Sequence, residues 1–302
     1  MAIDSAPRLG AHLNGGVKGA LDHARRIGLG RGTADGAEGG PIQVWSRNPS
    51  AWRPTVHAEK DLAAFRDGCA ALDLGPIFVH GIYLMNFASA DDTLWDKAVE
   101  ALADQLTVGA QLGAASVVVH PGSGGTQEPE VALDRCALAL KLALQQTEHV
   151  ANRPKIGLET CAGAGKTLGR TFGELKALLD RLDGHSGVGI VLDTAHLWGS
   201  GCDLATTEGL ERTVGEMLAS FEAERVLCIH TNDSKVELGS HKDRHENLGQ
   251  GAMGEAAFER MLAHPALRGL PWVMEVPGYD NQGPDTQNLQ VLRRLARVAV
   301  TA

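Results

Sequence analysis

The sequence has no apolar run that approaches the roughly 20 residues needed to span a membrane, so we expect no membrane segment. Its start, Met1–Pro7, has no basic stretch followed by an apolar one, and we expect no secretory signal. The 5 cysteines are scattered and form no C-x-x-C pair. We therefore expect reduced thiols and a cytoplasmic protein.

Positive charge is also scarce. The chain has 28 Lys and Arg against 37 Asp and Glu, a formal net charge of −9. Such a balance argues against a nucleic-acid partner, because phosphate contacts usually need a basic footprint. Bound divalent ions would change this locally, since they concentrate positive charge at one site. The charge is therefore a caution and does not exclude nucleic acid.

The sequence does have a regular alternation of buried-strand and helical patterns. Ser116–Gly122 and Val188–Thr194 are nearly continuous apolar runs, which is typical of strands buried on both faces. The predicted strands are Arg8–Leu13, Pro41–Ser46, Gly75–Gly81, Ser116–Gly122, Lys155–Thr160, Val188–Thr194, Val226–Asp233 and Pro271–Val276. The predicted helices are Gly16–Ile27, Asp61–Leu74, Asp92–Leu112, Val131–His149, Phe172–Leu182, Glu208–Phe221, Glu255–Leu262 and Thr286–Val300, with a capping box at Thr171–Glu174.

This alternation predicts the α/β class, with a single (β/α)8 TIM barrel as the fold. No shift in composition marks a second domain, so we predict one domain over residues 1–302. A doubly wound open sheet is the alternative. The glycine-rich segment Gly28–Gly40 is predicted to be a loop before the second strand.

Side chains that bind metals end six consecutive predicted strands. They are His80, His120, Glu159, Asp193, His230 and Glu275. They recur roughly every 40 residues, the repeat of the barrel itself, so we expect them to converge at its C-terminal mouth. The loops add His196, one helical turn after Asp193, and the i, i+2 pair Asp243 and His245.

Histidines and carboxylates without thiolates suit zinc, manganese or iron. Nine such residues are too many for one ion, and two or three ions fit better, with a carboxylate bridging them. Clustered ions of this kind stabilise the attacking and leaving oxygens of a phosphoryl displacement. The pattern therefore favours hydrolysis of a phosphate ester.

Short stretches around these residues extend the pattern across the chain. They are Gly10-Ala11-His12, His80-Gly81-Ile82-Tyr83-Leu84, His120-Pro121-Gly122-Ser123, Glu159-Thr160-Cys161-Ala162-Gly163, Leu192-Asp193-Thr194-Ala195-His196, His230-Thr231-Asn232-Asp233-Ser234, Asp243-Arg244-His245-Glu246-Asn247-Leu248-Gly249-Gln250-Gly251 and Glu275. With these stretches in this order, the sequence resembles endonuclease IV, the barrel family of abasic-site endonucleases.

The resemblance implies three zinc ions, with Mn²⁺ or Fe²⁺ as substitutes in part. It assigns the first ion to His80, His120 and Glu159. It assigns the second to Glu159, Asp193, His230 and Glu275, and the third to His196, Asp243 and His245.

The resemblance also implies the reaction and the partner. The family hydrolyses the phosphodiester 5′ to an abasic site in double-stranded DNA, leaves a 3′-hydroxyl and trims blocked 3′ ends. Glu159 and Glu275 would be the catalytic carboxylates, with Glu159 bridging two ions and Glu275 orienting or deprotonating the attacking water. We expect a monomer.

The DNA-reading residues match the family less well. The family inserts an arginine and a tyrosine into the duplex, and Tyr83 matches the tyrosine. Ser50 stands at the position of the arginine, which leaves Arg47, Arg53 or another loop to replace it, and Arg244 is a further DNA-contact candidate.

Two other functions stay open. A sugar isomerase or epimerase on a similar barrel would use the smaller set Glu159, Asp193, His230 and Glu275. That interpretation leaves His80, His120 and the three loop residues unexplained. A metal-binding or DNA-binding protein without catalysis is the second alternative, which the negative charge and the missing arginine leave open.

Overall fold

The alternating patterns of the sequence form one closed barrel. The computed structural model describes residues 7–33 and 39–301. The strands are β1 (Arg8–Leu13), β2 (Ile42–Trp45), β3 (Ile77–His80), β4 (Ser116–Val119), β5 (Lys155–Glu159), β6 (Val188–Asp193), β7 (Val226–Thr231), β8 (Asp233–Ser234), β9 (His245–Glu246) and β10 (Pro271–Met274). The helices are α1 (Gly16–Ile27), α2 (Glu59–Leu72), α3 (Asp92–Leu112), α4 (Pro129–Gln146), α5 (Phe172–Arg181), α6 (Thr194–Ser200), α7 (Thr207–Ser220), α8 (Glu255–Ala263) and α9 (Thr286–Thr301).

The barrel consists of β1 to β7 in chain order, followed by β10, which pairs with both β7 and β1. Every pairing between neighbouring strands of the barrel is parallel. The (β/α)8 prediction is confirmed, and the open sheet is excluded because β1 and β10 close the ring. Pairing of Trp45 with His80 and of Asp193 with His230 brings the ends of these strands to one level. The last residues of the strands therefore meet at one mouth.

The local sequence explains where the helices begin. Asp91 accepts a hydrogen bond from the Leu94 N–H at the start of α3, and Thr171 accepts one from Glu174 at the start of α5. The predicted capping box forms only in part. The Glu174 carboxylate accepts from the N–H groups of Gly169 and Arg170 rather than reaching back to Thr171.

The structure adds elements beyond the predicted repeat. Helix α6 follows β6 directly, because the Asp193 carboxylate accepts a hydrogen bond from the His196 N–H and caps the turn. The antiparallel pair of β8 and β9 folds the long segment after β7 back on itself. Ser116–Gly122 is extended only to Val119, since Gly122 has a positive φ of 98° and turns the chain.

Part of the glycine-rich loop and of the chain start lies outside the described residues, namely 34–38 and 1–6. Within 7–33 and 39–301, no helix combines the length and apolar character needed to cross a membrane. The 5 cysteines are all free.

Candidate metal centre

The nine predicted ligands meet at the C-terminal mouth of the barrel. There the structure forms an open pocket of about 220 Å³, lined in part by His80, His120, Glu159, His196, Asp243, His245 and Glu275. Three groups have donor atoms that all lie within 4.8 Å of one another. The groups are His80 with His120 and Glu159; Asp193 with His196 and His245; and Glu159 with Asp193, His230 and Glu275. Glu159 and Asp193 each belong to two groups.

Backbone carbonyls orient three of the histidines. The Nδ1 atoms of His80, His196 and His245 lie 2.8, 2.7 and 3.3 Å from the carbonyl oxygens of Gly81, Thr160 and Glu275. A carbonyl accepts only, so each Nδ1 must carry the proton. Each Nε2 then has a free lone pair toward the carboxylates, which is the arrangement of histidines that bind metals.

His230 presents its other nitrogen. Its Nε2 lies 3.0 Å from the Oε1 atom of Gln43, while its Nδ1 lies 3.0 Å from both Glu159 and Glu275. The Gln43 oxygen accepts, so the proton is on Nε2 and the Nδ1 lone pair points at the two carboxylates. Five histidines thus turn basic nitrogens toward the carboxylates of the site, since His120 Nε2 lies 3.6 Å from Glu159 as well.

The donor set fits divalent cations. Glu159 and Asp193 are 1% and 0% exposed, and a buried carboxylate needs compensating positive charge. The Oε2 atom of Glu159 and the Nε2 atom of His245 are buried and form no well-aligned hydrogen bond among the described residues. Their neighbours are other candidate ligand atoms, His80 Nε2 at 3.4 Å from the first and Asp243 Oδ1 at 3.1 Å from the second. The Glu159 and His245 atoms both belong to the groups above, and a cation between the donors would satisfy them.

Without a cation, protons on the histidines hold the cluster together. Burial alone would raise the pKa of Glu159, but His120 and His230 hold it well below its ordinary value. Burial alone would lower the pKa of His230, but Glu275 and Glu159 raise it well above. The pKa of His245 is raised in the same way, against burial, by Asp193 and Asp243 to about 9. Metal binding would therefore displace protons.

The group of Asp193, His196 and His245 differs from the ligand set that the resemblance implies for the third ion. Its carboxylate at this distance is Asp193, whereas Asp243 was expected. Asp243 lies close by, with its oxygens 3.2 Å from His196 Nε2 and 3.1 Å from His245 Nε2, and its side chain is 55% exposed. Its place on the segment before β9 sets it at the outer edge of the site.

The DNA-contact candidates divide into exposed and buried residues. Tyr83 is 64% exposed at the pocket, and its N–H donates to the carbonyl of Pro49, which brings it beside exposed Ser50. Arg244 and Arg53 are also exposed.

The structure corrects the prediction that Arg47 contacts DNA. Its side chain is 3% exposed, lies 3.3 Å from Asp104 and donates to the carbonyl of Trp52. A guanidinium held inside in this way does not reach a duplex, so Arg47 does not replace the missing arginine.

Sequence reasoning missed two residues of the mouth, Gln43 in β2 and His12 in β1. The His12 Nδ1 atom lies 3.0 Å from the Gln43 amide and 3.3 Å from Glu275. Burial lowers the pKa of His12, so its imidazole is neutral. His12 lies in one of the stretches that carry the family resemblance, but it stands one residue before the end of β1 and was not counted among the strand-end ligands. Gln43 gave no signal because glutamine is not a usual zinc ligand.

Comparison with known proteins gives consistent matches along the chain. A family model described as a xylose isomerase-like TIM barrel matches residues 35–297. The probable endonuclease 4 of Trichlorobacter lovleyi is 35% identical over 289 residues, which are 95% of this chain and 99% of that protein. The probable endonuclease 4 of Streptomyces avermitilis is 35% identical over 292 residues, 96% and 93% of the two chains.

Solved structures give the same result. The crystal structure of endonuclease IV from Thermus thermophilus matches with a TM-score of 0.79 and 33% identity, covering 96% of this chain and 99% of that one. A D-tagatose 3-epimerase-like protein matches with a TM-score of 0.67 but 17% identity, covering 97% and 98%. The second likeness is one of fold alone.

Proposed function

The chain belongs to the endonuclease IV family, and we propose that it hydrolyses the phosphodiester 5′ to abasic sites in double-stranded DNA, leaving a 3′-hydroxyl. Trimming of blocked 3′ ends is part of the proposal. The observation that carries it is the convergence of five histidines with Glu159, Asp193 and Glu275 in three ligand groups at one mouth. The monomeric state and the cytoplasmic location stay predictions.

We assign zinc to the three groups, with manganese or iron as substitutes. His80, His120 and Glu159 would hold one ion. Glu159, Asp193, His230 and Glu275 would hold the second. Asp193, His196 and His245 would hold the third, with Asp243 as the ligand from the outer side. Bound ions of this kind lower the pKa of water and neutralise charge on phosphate oxygens.

The protein's own residues supply orientation and water exclusion. Glu275 lies 3.0 Å from His230 and is fixed by Gln43 and His12, which suits it to hold the attacking water and take its proton. The Tyr83 ring packs edge to face against Trp45, with 5.0 Å between the ring centroids, and most of its surface is exposed to solvent. Its ring would insert into the gap left by the missing base.

The sugar isomerase alternative is not favoured. It uses one ion, so it gives no ligand role to His80, His120, His196 and His245. The epimerase-like barrel shares only its fold with this chain.

A labelled duplex with one synthetic abasic site tests the proposal. We expect zinc-loaded protein to cut it immediately 5′ to the site and to spare the same duplex without the lesion. Protein stripped of metal by a strong chelator under mild denaturation, then refolded, should not cut until zinc is restored. Loaded protein that leaves the abasic duplex intact and epimerises a ketohexose would overturn the proposal in favour of the isomerase.

A further inference from the structure

Gln43 connects three residues of the mouth. It lies in β2, is fully buried, and its amide stands between His230, Glu275 and His12. Its oxygen lies 3.0 Å from His230 Nε2, and its nitrogen lies 3.0 Å from His12 Nδ1. The same nitrogen also donates to Glu275 Oε1.

The orientation of this amide is fixed by its neighbours. If oxygen and nitrogen were exchanged, the amide oxygen would face the Glu275 carboxylate, and two acceptors would oppose each other. The nitrogen must therefore face Glu275 and His12, and the oxygen must face His230. This buried side chain thus sets which nitrogen carries the proton on the neutral His230 ring.

The consequence for His230 is specific. Because the Gln43 oxygen accepts from Nε2–H, the proton cannot reside on Nδ1 in the neutral ring. The Nδ1 lone pair then points at Glu159 and Glu275, each 3.0 Å away. Gln43 also donates to the Oε1 atom of Glu275, whose Oε2 atom lies 3.0 Å from His230 Nδ1. Gln43 therefore fixes the orientation of both His230 and Glu275 within their ligand group.

We propose that Gln43 is a positioning residue that holds His230 in its Nε2–H form and aims Glu275, and so sets the metal affinity of the group containing Glu159, Asp193, His230 and Glu275. This inference rests on the metal binding proposed above. Partners that orient metal-binding histidines typically change metal affinity by about 10- to 100-fold when they are removed.

The first test compares two buried glutamines. Gln43→Leu removes the amide at similar size, and Gln105→Leu is the matched control. Gln105 is also fully buried, but it bonds to the backbone of Ile82 and His80 and to Ser46, and not to a ligand side chain. Zinc affinity is measured by competition with a chromophoric chelator, and thermal unfolding gives stability.

We expect Gln43→Leu to weaken binding of one ion by about 10- to 100-fold. Gln105→Leu should lose comparable stability and keep all its ions. Equal zinc affinity in Gln43→Leu and the unchanged protein, or an equal loss in both variants, would overturn the proposal.

A second measurement needs no variant. In protein labelled with ¹⁵N-histidine, long-range ¹H–¹⁵N spectra report which ring nitrogen carries the proton. We expect His230 to be protonated at Nε2 with or without zinc. A His230 ring protonated at Nδ1 only would contradict the inference. Unchanged protein that binds no divalent ion would instead contradict the proposed function, and the His230 proton can still be read there.

Discussion

Glu159 is the residue on which the site converges. Its carboxylate lies 3.0 Å from His230, 3.3 Å from His196, 3.4 Å from His80 and 3.6 Å from His120. One side chain from the end of β5 therefore contacts histidines from four other places in the chain. Like Asp193, it belongs to two of the three ligand groups, so its charge would compensate two cations.

Glu159→Gln should abolish this role without changing the shape of the side chain. The amide keeps the volume, but it removes the charge that compensates two cations. We expect loss of two ions and a fall in incision rate of about 100-fold or more. Elemental analysis and gel-based incision measure both, and a variant that keeps its full metal content would contradict the assignment.

His245 provides a test of the third group. It is partly exposed at the outer edge of the barrel, so His245→Ala should remove one ion and most activity while the barrel stays folded. His241→Ala is the control, because His241 is an exposed histidine four residues away that belongs to none of the groups. Unchanged zinc content in His245→Ala would exclude the third ion from this position.

Tyr83 should act through its ring. Tyr83→Ala is expected to weaken binding of abasic duplex by about 10-fold, on the order of 1–3 kcal/mol for a lost stacking contact, and to keep the metals. Tyr83→Phe retains the ring and should bind nearly as well as the unchanged protein. Equal losses in the two variants, measured by fluorescence anisotropy, would show that the hydroxyl is the important group.

Residue types that bind metals could be predicted because they end consecutive strands. The role of Gln43 could not, since an amide gives no metal signal and its partners lie on β1, β7 and the end of β10. The burial of Arg47 was equally hidden, because it depends on Asp104, which lies on a helix 57 residues later.

At the scale of elements, the β8–β9 pair is held by one buried acid, Asp233. Its carboxylate accepts from the N–H groups of Gly249, Gly251, Gly254, Met253 and Ser234. Gly251 permits this close approach, as a Cβ there would lie 2.4 Å from the Asp233 oxygen. The segment that carries Asp243 and His245 is thereby fastened to the barrel at β8.

Asp233→Asn should loosen this segment. An amide nitrogen would face backbone donors that now bond to an oxygen, and we expect a loss of about 2–3 kcal/mol in the free energy of unfolding. Asp203→Asn is the control, because Asp203 caps the turn before α7 near the surface. Urea unfolding compares them, and equal small losses would contradict the anchoring role.

The element boundaries show what the sequence pattern determines. The predicted strand β1 and the predicted helices α1 and α3 match residue for residue. Glycine or aspartate marks both ends of the two helices, at Gly15 and Gly28 for α1 and at Asp91 and Gly113 for α3. Helix α6 and the β8–β9 pair were not predicted. They are short, and their formation depends on the Asp193 cap and on backbone contacts to Asp233 rather than on periodicity.

At the scale of the whole molecule, the buried charges link metal content to stability. In metal-free protein the pKa of His245 is raised to about 9 by Asp193 and Asp243 against the effect of burial. A raised pKa stabilises the fold below the ordinary value of 6.5, and this contribution is lost as the pH rises to about 9.

Metal-free protein should therefore lose about 2 kcal/mol of unfolding free energy between pH 6.5 and 9. Metal-loaded protein should not, since the histidine nitrogen would be bound to a cation and not to a proton. Urea unfolding at both pH values, with and without zinc, checks this difference. Parallel pH profiles for the two forms would contradict the coupling between these histidines and metal.

The number and position of bound metals test the central claim most directly. Anomalous X-ray diffraction at the zinc edge, on crystals of loaded protein, locates each ion against the side chains. We predict three peaks, one in each ligand group, with Glu159 between the first and second. A single peak confined to Glu159, Asp193, His230 and Glu275 would contradict the account and indicate the one-metal site of a sugar isomerase.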